Sequence, residues 1–166
     1  MKSRIAELVE TLGLQSHPEG GYYTEVYRSD GLIEAEEDGF PDGRHYSTSI
    51  YYLLESGDNS HFHRIKSDEV WHHYEGSPIT IHIISSTGSY RKLHVGKNFT
   101  DGQKPQQIVP AHCWFGVTVD EPDSYALCGC TVSPGFDFDD FEMADRSVLL
   151  KKFPEHEEII VQLTQD

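Results

Sequence analysis

Apolar residues recur along this chain at two different periods, and the change from one to the other divides it. Near the N-terminus Ile5, Leu8, Val9 and Leu12 fall at helical spacing, with Ser3 placed to cap them and Gly13 to end them, so a short helix is predicted. His17-Pro18-Glu19-Gly20-Gly21 reads as a turn, because proline fixes one dihedral and the paired glycines permit positive φ. A strand-like run follows from Tyr22 to Arg28. The stretch from Gly31 to Gly43 holds five acids, no base and little periodicity, and reads as an exposed loop. Beyond it come short runs rich in β-branched and aromatic residues: Ser47 to Leu54, Val70 to Tyr74, Ile79 to Ser85, Tyr90 to Val95, Gln106 to Val109, Trp114 to Val119 and Tyr125 to Val132. Gly, Pro, Asp or Asn separates most of them, a rhythm that predicts an antiparallel sandwich or barrel and not a βαβ arrangement. After the acidic segment Asp137 to Asp145, Ser147 is placed to cap a short helical piece, Pro154 interrupts it, and Glu155 to Leu163 reads as a closing helix. The expected class is mainly β with short N- and C-terminal helices.

At 166 residues the chain is the size of one domain, taken as 1–166. Eight Phe, nine Tyr and two Trp supply buried area that the 37% hydrophobic content alone does not. The formal charge is −15, and protonating all ten histidines would still leave −5. Such a chain repels phosphate backbones and anionic membrane surfaces, so neither nucleic acid nor membrane is expected as a partner. Three cysteines, one close pair among them, suggest no disulfide framework and fit a reducing compartment. Arg4, Glu7 and Glu10 interrupt the N-terminal apolar spacing, so no signal peptide is read there and a cytoplasmic location is expected. The charge is uneven: residues 1–59 carry four bases and twelve acids, while residues 60–95 carry four bases, three acids and six of the ten histidines.

That segment contains Ser60-His61-Phe62-His63-Arg64-Ile65-Lys66-Ser67-Asp68-Glu69. On a strand, His61 and His63 point to one face and Phe62 to the other, since side chains alternate with period two. Two imidazoles with a carboxylate nearby make a donor set suited to a divalent metal, with His61, His63 and Glu69 as candidate ligands. The bland alternative is that these histidines are solvated or satisfied by neighbours.

The order of short strands, with His61-x-His63, Asp68, Glu69 and then Gly76, resembles the first motif of the cupins, and Pro110 to Phe115 lies where their second would fall. The chain is most similar to a small family of single-domain cupins of uncertain function. The residues that carry this resemblance are His17 to Tyr23, Tyr27-Arg28-Ser29, Ser49 to Leu54, His61 to Arg64, Ser67 to Trp71, Val109-Pro110 and Cys130 to Glu142. The resemblance implies a double-stranded β-helix jelly roll, usually a homodimer, with a small-molecule pocket in the barrel mouth. It departs from the metal-binding pattern in the second motif, where Phe115 stands in place of the histidine ligand. A three-ligand site completed by water stays open as a reading.

The resemblance also extends to cupin sugar-nucleotide epimerases, which move a proton beside a carbonyl. On that pattern His63 is the candidate base, Glu69 or Asp68 its carboxylate partner, and Tyr51 or Tyr74 the acid. Arg28, Arg64 and Lys66 are candidates for binding a ligand phosphate or carboxylate, and Trp71 and Trp114 either line the pocket or fill the core. Three functions follow: an epimerase-like or isomerase-like enzyme acting on a small polar, sugar-like or anionic metabolite; a metal-dependent cupin enzyme; or a non-catalytic small-ligand-binding module. Cys128 and Cys130 read as small buried hydrophobes, and Phe136, Phe138 and Phe141 as pinned to the barrel wall with the intervening acids outward. The remaining histidines of the segment and His156 read as structural or surface residues.

Overall fold

Alternation along the strands builds two facing sheets whose inner faces form the core and whose outer faces are partly covered by the terminal helices. The computed structural model describes residues 3–166. In chain order the elements are α1 (Arg4–Leu12), β1 (Gln15–Ser16), β2 (Tyr22–Arg28), β3 (Leu32–Ala35), β4 (Phe40–His45), β5 (Thr48–Glu55), β6 (Ser60–Arg64) and β7 (Asp68–Gly76). There follow β8 (Ile79–Ile84), β9 (Tyr90–Val95), β10 (Gln106–Val109), β11 (Trp114–Val119), β12 (Tyr125–Ser133), β13 (Glu142–Met143), α2 (Arg146–Lys152) and α3 (Glu157–Gln162). One sheet has the order β1-β2-β5-β12-β7-β10, the other β13-β6-β11-β8-β9, and their ladders are antiparallel. This is the cupin jelly roll.

The period of two decides what each strand presents. On β5, Tyr52 and Leu54 enter the core between the sheets while Leu53 faces out; on β12, Ala126, Cys128 and Cys130 enter it while Leu127 faces out. Leu53 and Leu127 meet Leu8 of α1, so the N-terminal helix covers the outside of the first sheet. Ser3 caps that helix by accepting from the Ala6 N–H, and Gly13 ends it at φ 65°, as the sequence predicts. On the second sheet Ile79, Ile81 and Ile83 point inward, whereas Phe62, Ile84 and Trp114 point outward beneath Leu149, Phe153, Ile160 and Leu163 of the C-terminal segment. Among the described residues no helix is long and apolar enough to cross a membrane.

Three local expectations are corrected. Residues 31–43 are not a plain loop: β3 and β4 form a hairpin whose tip carries Glu36, Glu37 and Asp38, anchored by the buried ring of Phe40. One apolar anchor among five acids is too little alternation to show as a strand pair in sequence. Helix α2 is capped by Asp145, which accepts from the Val148 N–H at 3.0 Å, and Ser147 only donates to that same carboxylate. The acids between the phenylalanines do not all face solvent. Asp140 is buried and takes two hydrogen bonds, at 2.8 Å and 2.7 Å, from the buried guanidinium of Arg44 on β4.

That bidentate pair ties the hairpin to the segment bearing Phe136, Phe138 and Phe141. Removing one partner leaves an uncompensated buried charge. Asp140→Ala is expected to lower unfolding stability by about 3 kcal/mol, read from urea denaturation, and pairing Asp140→Leu with Arg44→Met should recover most of the loss. A shift within about 0.5 kcal/mol for the single variant would show that the pair is not a structural tie.

Candidate functional site

The site is assembled by a turn and three strands. Between β1 and β2 the chain passes through His17-Pro18-Glu19-Gly20-Gly21, with Gly20 at φ 111° and Gly21 at φ 75°. A Cβ on Gly20 would lie 2.2 Å from the Asn59 carbonyl oxygen, so only glycine lets the turn lie this close to the start of β6. The turn is pinned there: the His61 N–H donates to the Glu19 carbonyl at 2.7 Å and the Tyr52 hydroxyl to the Gly20 carbonyl at 2.5 Å. Its effect is to bury the Glu19 side chain inside the barrel.

There Glu19 Oε2 meets His63 Nε2 at 2.8 Å. The other ring nitrogen of His63, Nδ1, donates to the His61 carbonyl at 2.7 Å, so the imidazole faces an acceptor on both sides and is satisfied as the cation. Phe115 and Phe141 enclose the ring at centroid distances of 4.1 Å and 5.3 Å. Phe115, which stands where a metal cupin has its last histidine, thus forms a wall for His63. Burial alone would lower the His63 pKa, but the charge and hydrogen bond of Glu19 and the nearby charge of Glu69 outweigh it, and the pKa is raised. Burial alone would raise that of Glu19, but the charge of His63 and its hydrogen bond reverse it and hold it below the ordinary value. His17 is kept neutral by burial; its Nδ1 accepts from the Glu19 N–H at 3.2 Å.

Glu69 on β7 shares its inward face with Trp71. Burial and the Glu19 charge push its carboxyl up to about 7, only partly offset by His63 and by the neighbouring Cys130 thiol and Trp71 indole. The indole nitrogen of Trp71 is itself buried without a hydrogen bond of normal geometry. Cys130 on β12 pairs in register with Trp71, and burial followed by the Glu69 charge holds its thiol protonated.

His17, Glu19, His63, Glu69 and Cys130 line one cavity of about 450 Å³, together with Tyr23, Arg28, Ile50, Asp137 and the three phenylalanines of the 136–141 segment. Of the residues singled out in sequence, His63, Glu69 and Arg28 lie on it. Arg28 stands with Glu25, to which it donates at 2.5 Å, and with the Phe136 carbonyl at 3.1 Å. The others are placed elsewhere. Asp68 is exposed and accepts from the Ala111 N–H at 2.8 Å, because it is one residue out of phase with Glu69 on β7. Tyr51, out of phase with Tyr52, packs against Tyr74 on the outer face, and Tyr74 is 46% exposed. Arg64 pairs outward with Glu142 and lies over the Trp114 ring, which belongs to the cluster under the C-terminal helices. Trp71 fills the core against Tyr52 at 5.4 Å. Lys66 reaches the Gly39 carbonyl on the hairpin.

His61 shares its strand face with His63, as alternation requires, yet the two do not converge. The His61 ring is bonded through Nδ1 to the Glu19 carbonyl and borders a separate open cleft with Gly20, Gly57 and Asn59. Among the described residues no group of three His, Cys, Asp or Glu side chains is arranged to hold a metal ion. With both nitrogens of His63 committed to protein acceptors, His61, His63 and Glu69 do not fit as the expected ligand set.

Glu19, His17, Cys130 and Asp137 are cavity residues that the sequence reading did not select as site residues. Glu19 follows Pro18 and precedes two glycines, a context that reads as a solvated turn, and nothing in its local spacing connects it to His63. The one available signal was that the resemblance itself includes this turn.

Comparison with known proteins agrees with this architecture. A model described as Cupin superfamily (DUF985) matches residues 6–144. The curated "Uncharacterized protein YML079W" of Saccharomyces cerevisiae is 29% identical over 149 residues, covering 83% of this chain and 74% of that protein. The crystal structure of protein SO0799 from Shewanella oneidensis superposes with a TM-score of 0.89 at 36% identity over 99% of both chains. A hypothetical protein from Leishmania major gives 0.89 at 36% identity over 96% of this chain and 98% of its own. Oxalate decarboxylase from Bacillus subtilis shares the fold, with a TM-score of 0.55 at 16% identity over 89% of this chain and 36% of the enzyme.

The shifts make stability depend on pH with a definite sign. Glu69 binds its proton more tightly when folded, so stability is lost as pH rises from about 4.5 towards 7. The raised pKa of His63 stabilises below its unfolded value and is lost as pH rises through the folded one, while lowered Glu19 stabilises above its unfolded value and is lost in acid. Glu69→Gln is expected to be more stable than the wild type at pH 8 by about 3 kcal/mol, with the advantage vanishing near pH 4.5, measured by urea titration across pH. An equal stability difference at both pH values would refute the assignment of a raised Glu69.

Proposed function

The chain belongs to the cupin superfamily, within the DUF985 family whose model spans residues 6–144, and from that premise we propose that its barrel cavity binds a small polar carbonyl compound and isomerises it by proton transfer. The observation that carries this reading is the pairing, in one cavity, of a buried carboxyl with a pKa of about 7 and a fixed imidazolium-carboxylate pair. Two titratable groups driven apart by their surroundings mark an acid and base assignment.

Glu69 is the group whose proton affinity matches neutral pH, where a general base and acid is most effective. As the carboxylate it takes the proton from the hydroxyl-bearing carbon beside the carbonyl; the enediolate so formed passes its hydroxyl proton from one oxygen to the other, and Glu69 as the acid returns its own proton to the former carbonyl carbon. No oxidant or reductant enters this exchange. His63 supplies the positive charge that the developing enolate oxygen requires, acting through its field while its Nε2–H stays on Glu19. Glu19 keeps that ring charged and oriented. The expected division of labour is therefore altered: His63 is the electrostatic partner and Glu69 the proton carrier. Phe115 and Phe141 exclude water from the imidazolium side and so strengthen its field.

The test is to incubate the protein in deuterium oxide with a panel of small aldoses and ketoses and to read deuterium at the carbon beside the carbonyl by mass spectrometry. Exchange is expected with at least one member, rising with pH through about 7 and falling where His63 loses its proton. Glu69→Gln should reduce it by about 10²-fold or more, and Glu19→Gln should move the falling limb to lower pH. Binding without exchange across the panel would leave a ligand-binding module in place of an enzyme.

A further inference from the structure

The charge of the cavity wall narrows the kind of ligand it can hold. Two side chains on the lining are cationic at neutral pH, and each is cancelled by a carboxylate: His63 by Glu19 at 2.8 Å, Arg28 by Glu25 at 2.5 Å. His17 is neutral there, and Arg64 and Lys66 point away. Two further carboxyls on the lining, those of Glu69 and Asp137, have no ion-pair partner within 4 Å among the described residues. Glu69 is 8% exposed, and what exposure it has is to the cavity, so it is a buried acid that the charge of His63 only partly offsets. Asp137 stands nearer the mouth, where one oxygen accepts from the Asp139 N–H at 2.8 Å. It sits between Phe136 and Phe138, whose rings meet edge to face at 4.9 Å, and Phe141 joins both at 6.2 Å and 5.8 Å.

We propose that the cavity takes a ligand bearing a protonated amine, received at the mouth by the Asp137 carboxylate among the phenylalanine rings, and that it rejects phosphorylated and other anionic compounds. An ammonium group pairs with a carboxylate and is attracted to aromatic faces, and both partners are present here; among the described residues no cation lies within ion-pair distance of Asp137, and Arg44, which feels its charge from farther off, is already paired with Asp140. An anion would have to displace Glu25 from Arg28 and would still face the Asp137 and Glu69 carboxyls on the same lining, where like charges repel. The low net charge of the 60–95 segment suggests an anionic ligand only while Arg64 and Lys66 are counted as pocket residues, and the structure removes both. The proposal deepens the reading of the same site as a carbonyl isomerase: it adds an amine at the mouth to a ligand whose carbonyl end reaches Glu69.

Matched probes of one size separate the charge classes. Glucosamine, glucose and glucose 6-phosphate, and likewise ethanolamine, ethylene glycol and 2-hydroxyethyl phosphate, are titrated by calorimetry and by thermal shift at pH 7.5 in low salt. The amine is expected to bind at least tenfold more tightly than the neutral member of its set, to weaken with added salt, and to lose that preference at least fivefold in Asp137→Asn. Arg28→Gln frees the Glu25 carboxylate and should strengthen amine binding several-fold, whereas a true anion site would weaken. Far-ultraviolet circular dichroism confirms that each variant is folded. Tighter binding of the phosphorylated members, equal binding of amine and neutral members, no binding by either amine, or an unchanged preference in Asp137→Asn would each overturn the proposal. Amine binding with no deuterium exchange would leave it standing and remove only the isomerase.

Discussion

Glu19 and His63 form an ion pair inside a β-barrel, and most of what is distinctive about the cavity follows from the need to keep that pair satisfied. Two buried charges attract strongly but lose their hydration, and the balance is favourable only when the remaining polar atoms are also matched. Here the protein meets the demand with backbone: the His61 carbonyl takes the second imidazole proton, and the Glu19 turn is fastened through its own carbonyls to His61 and Tyr52. The glycines at positions 20 and 21 are what permit the turn to approach β6 closely enough. A backbone conformation thereby decides the protonation state of a histidine.

Glu69 is shaped by the same pair. The negative charge of Glu19 adds to burial in driving its pKa up, while His63, held at fixed charge, limits the rise to about 7. The result is an acid that titrates in the neutral range beside a carboxylate whose pKa is lowered and an imidazole whose pKa is raised. Its neighbour Cys130 offers only a weak thiol donor and the Trp71 indole N–H makes no hydrogen bond of normal geometry, so neither locks Glu69 into one state. A stronger donor there would have held the carboxylate charged and left nothing to exchange. The cavity mouth depends on another buried pair, Arg44 with Asp140, which holds the phenylalanine segment against the β3-β4 hairpin. One ion pair sets the chemistry and the other the shape of the entrance.

The elements were readable because alternation is a local property. The runs from Ile79, Tyr90, Trp114 and Tyr125 match strands to within a residue or so, and Phe62 opposes His63 as period two demands. The site was readable only in part. His63 and Glu69 stand out because they are a histidine and an acid close together in one segment. Arg64, Asp68, Tyr51 and Tyr74 stand out for the same reason and are misleading, since each lies one position out of phase with the inward face or beyond the cavity's reach. The pairing of β3 with β4 was hidden by its acidic tip.

By itself the sequence determined the class of fold, the family, the strand rhythm, the covering helices and two of the residues around which the cavity is built, because each rests on spacing along a single segment or on a motif carried by consecutive residues. Only the tertiary structure decided the partner of His63, since Glu19 reaches it from a turn distant in the chain. It also decided the role of the metal-like motif, whose first histidine is drawn off to the Glu19 carbonyl. And it decided the sign of the cavity's charge, because a formal count over a segment cannot tell which side chains point in. Charge acts through distance and burial, and both are set where segments meet.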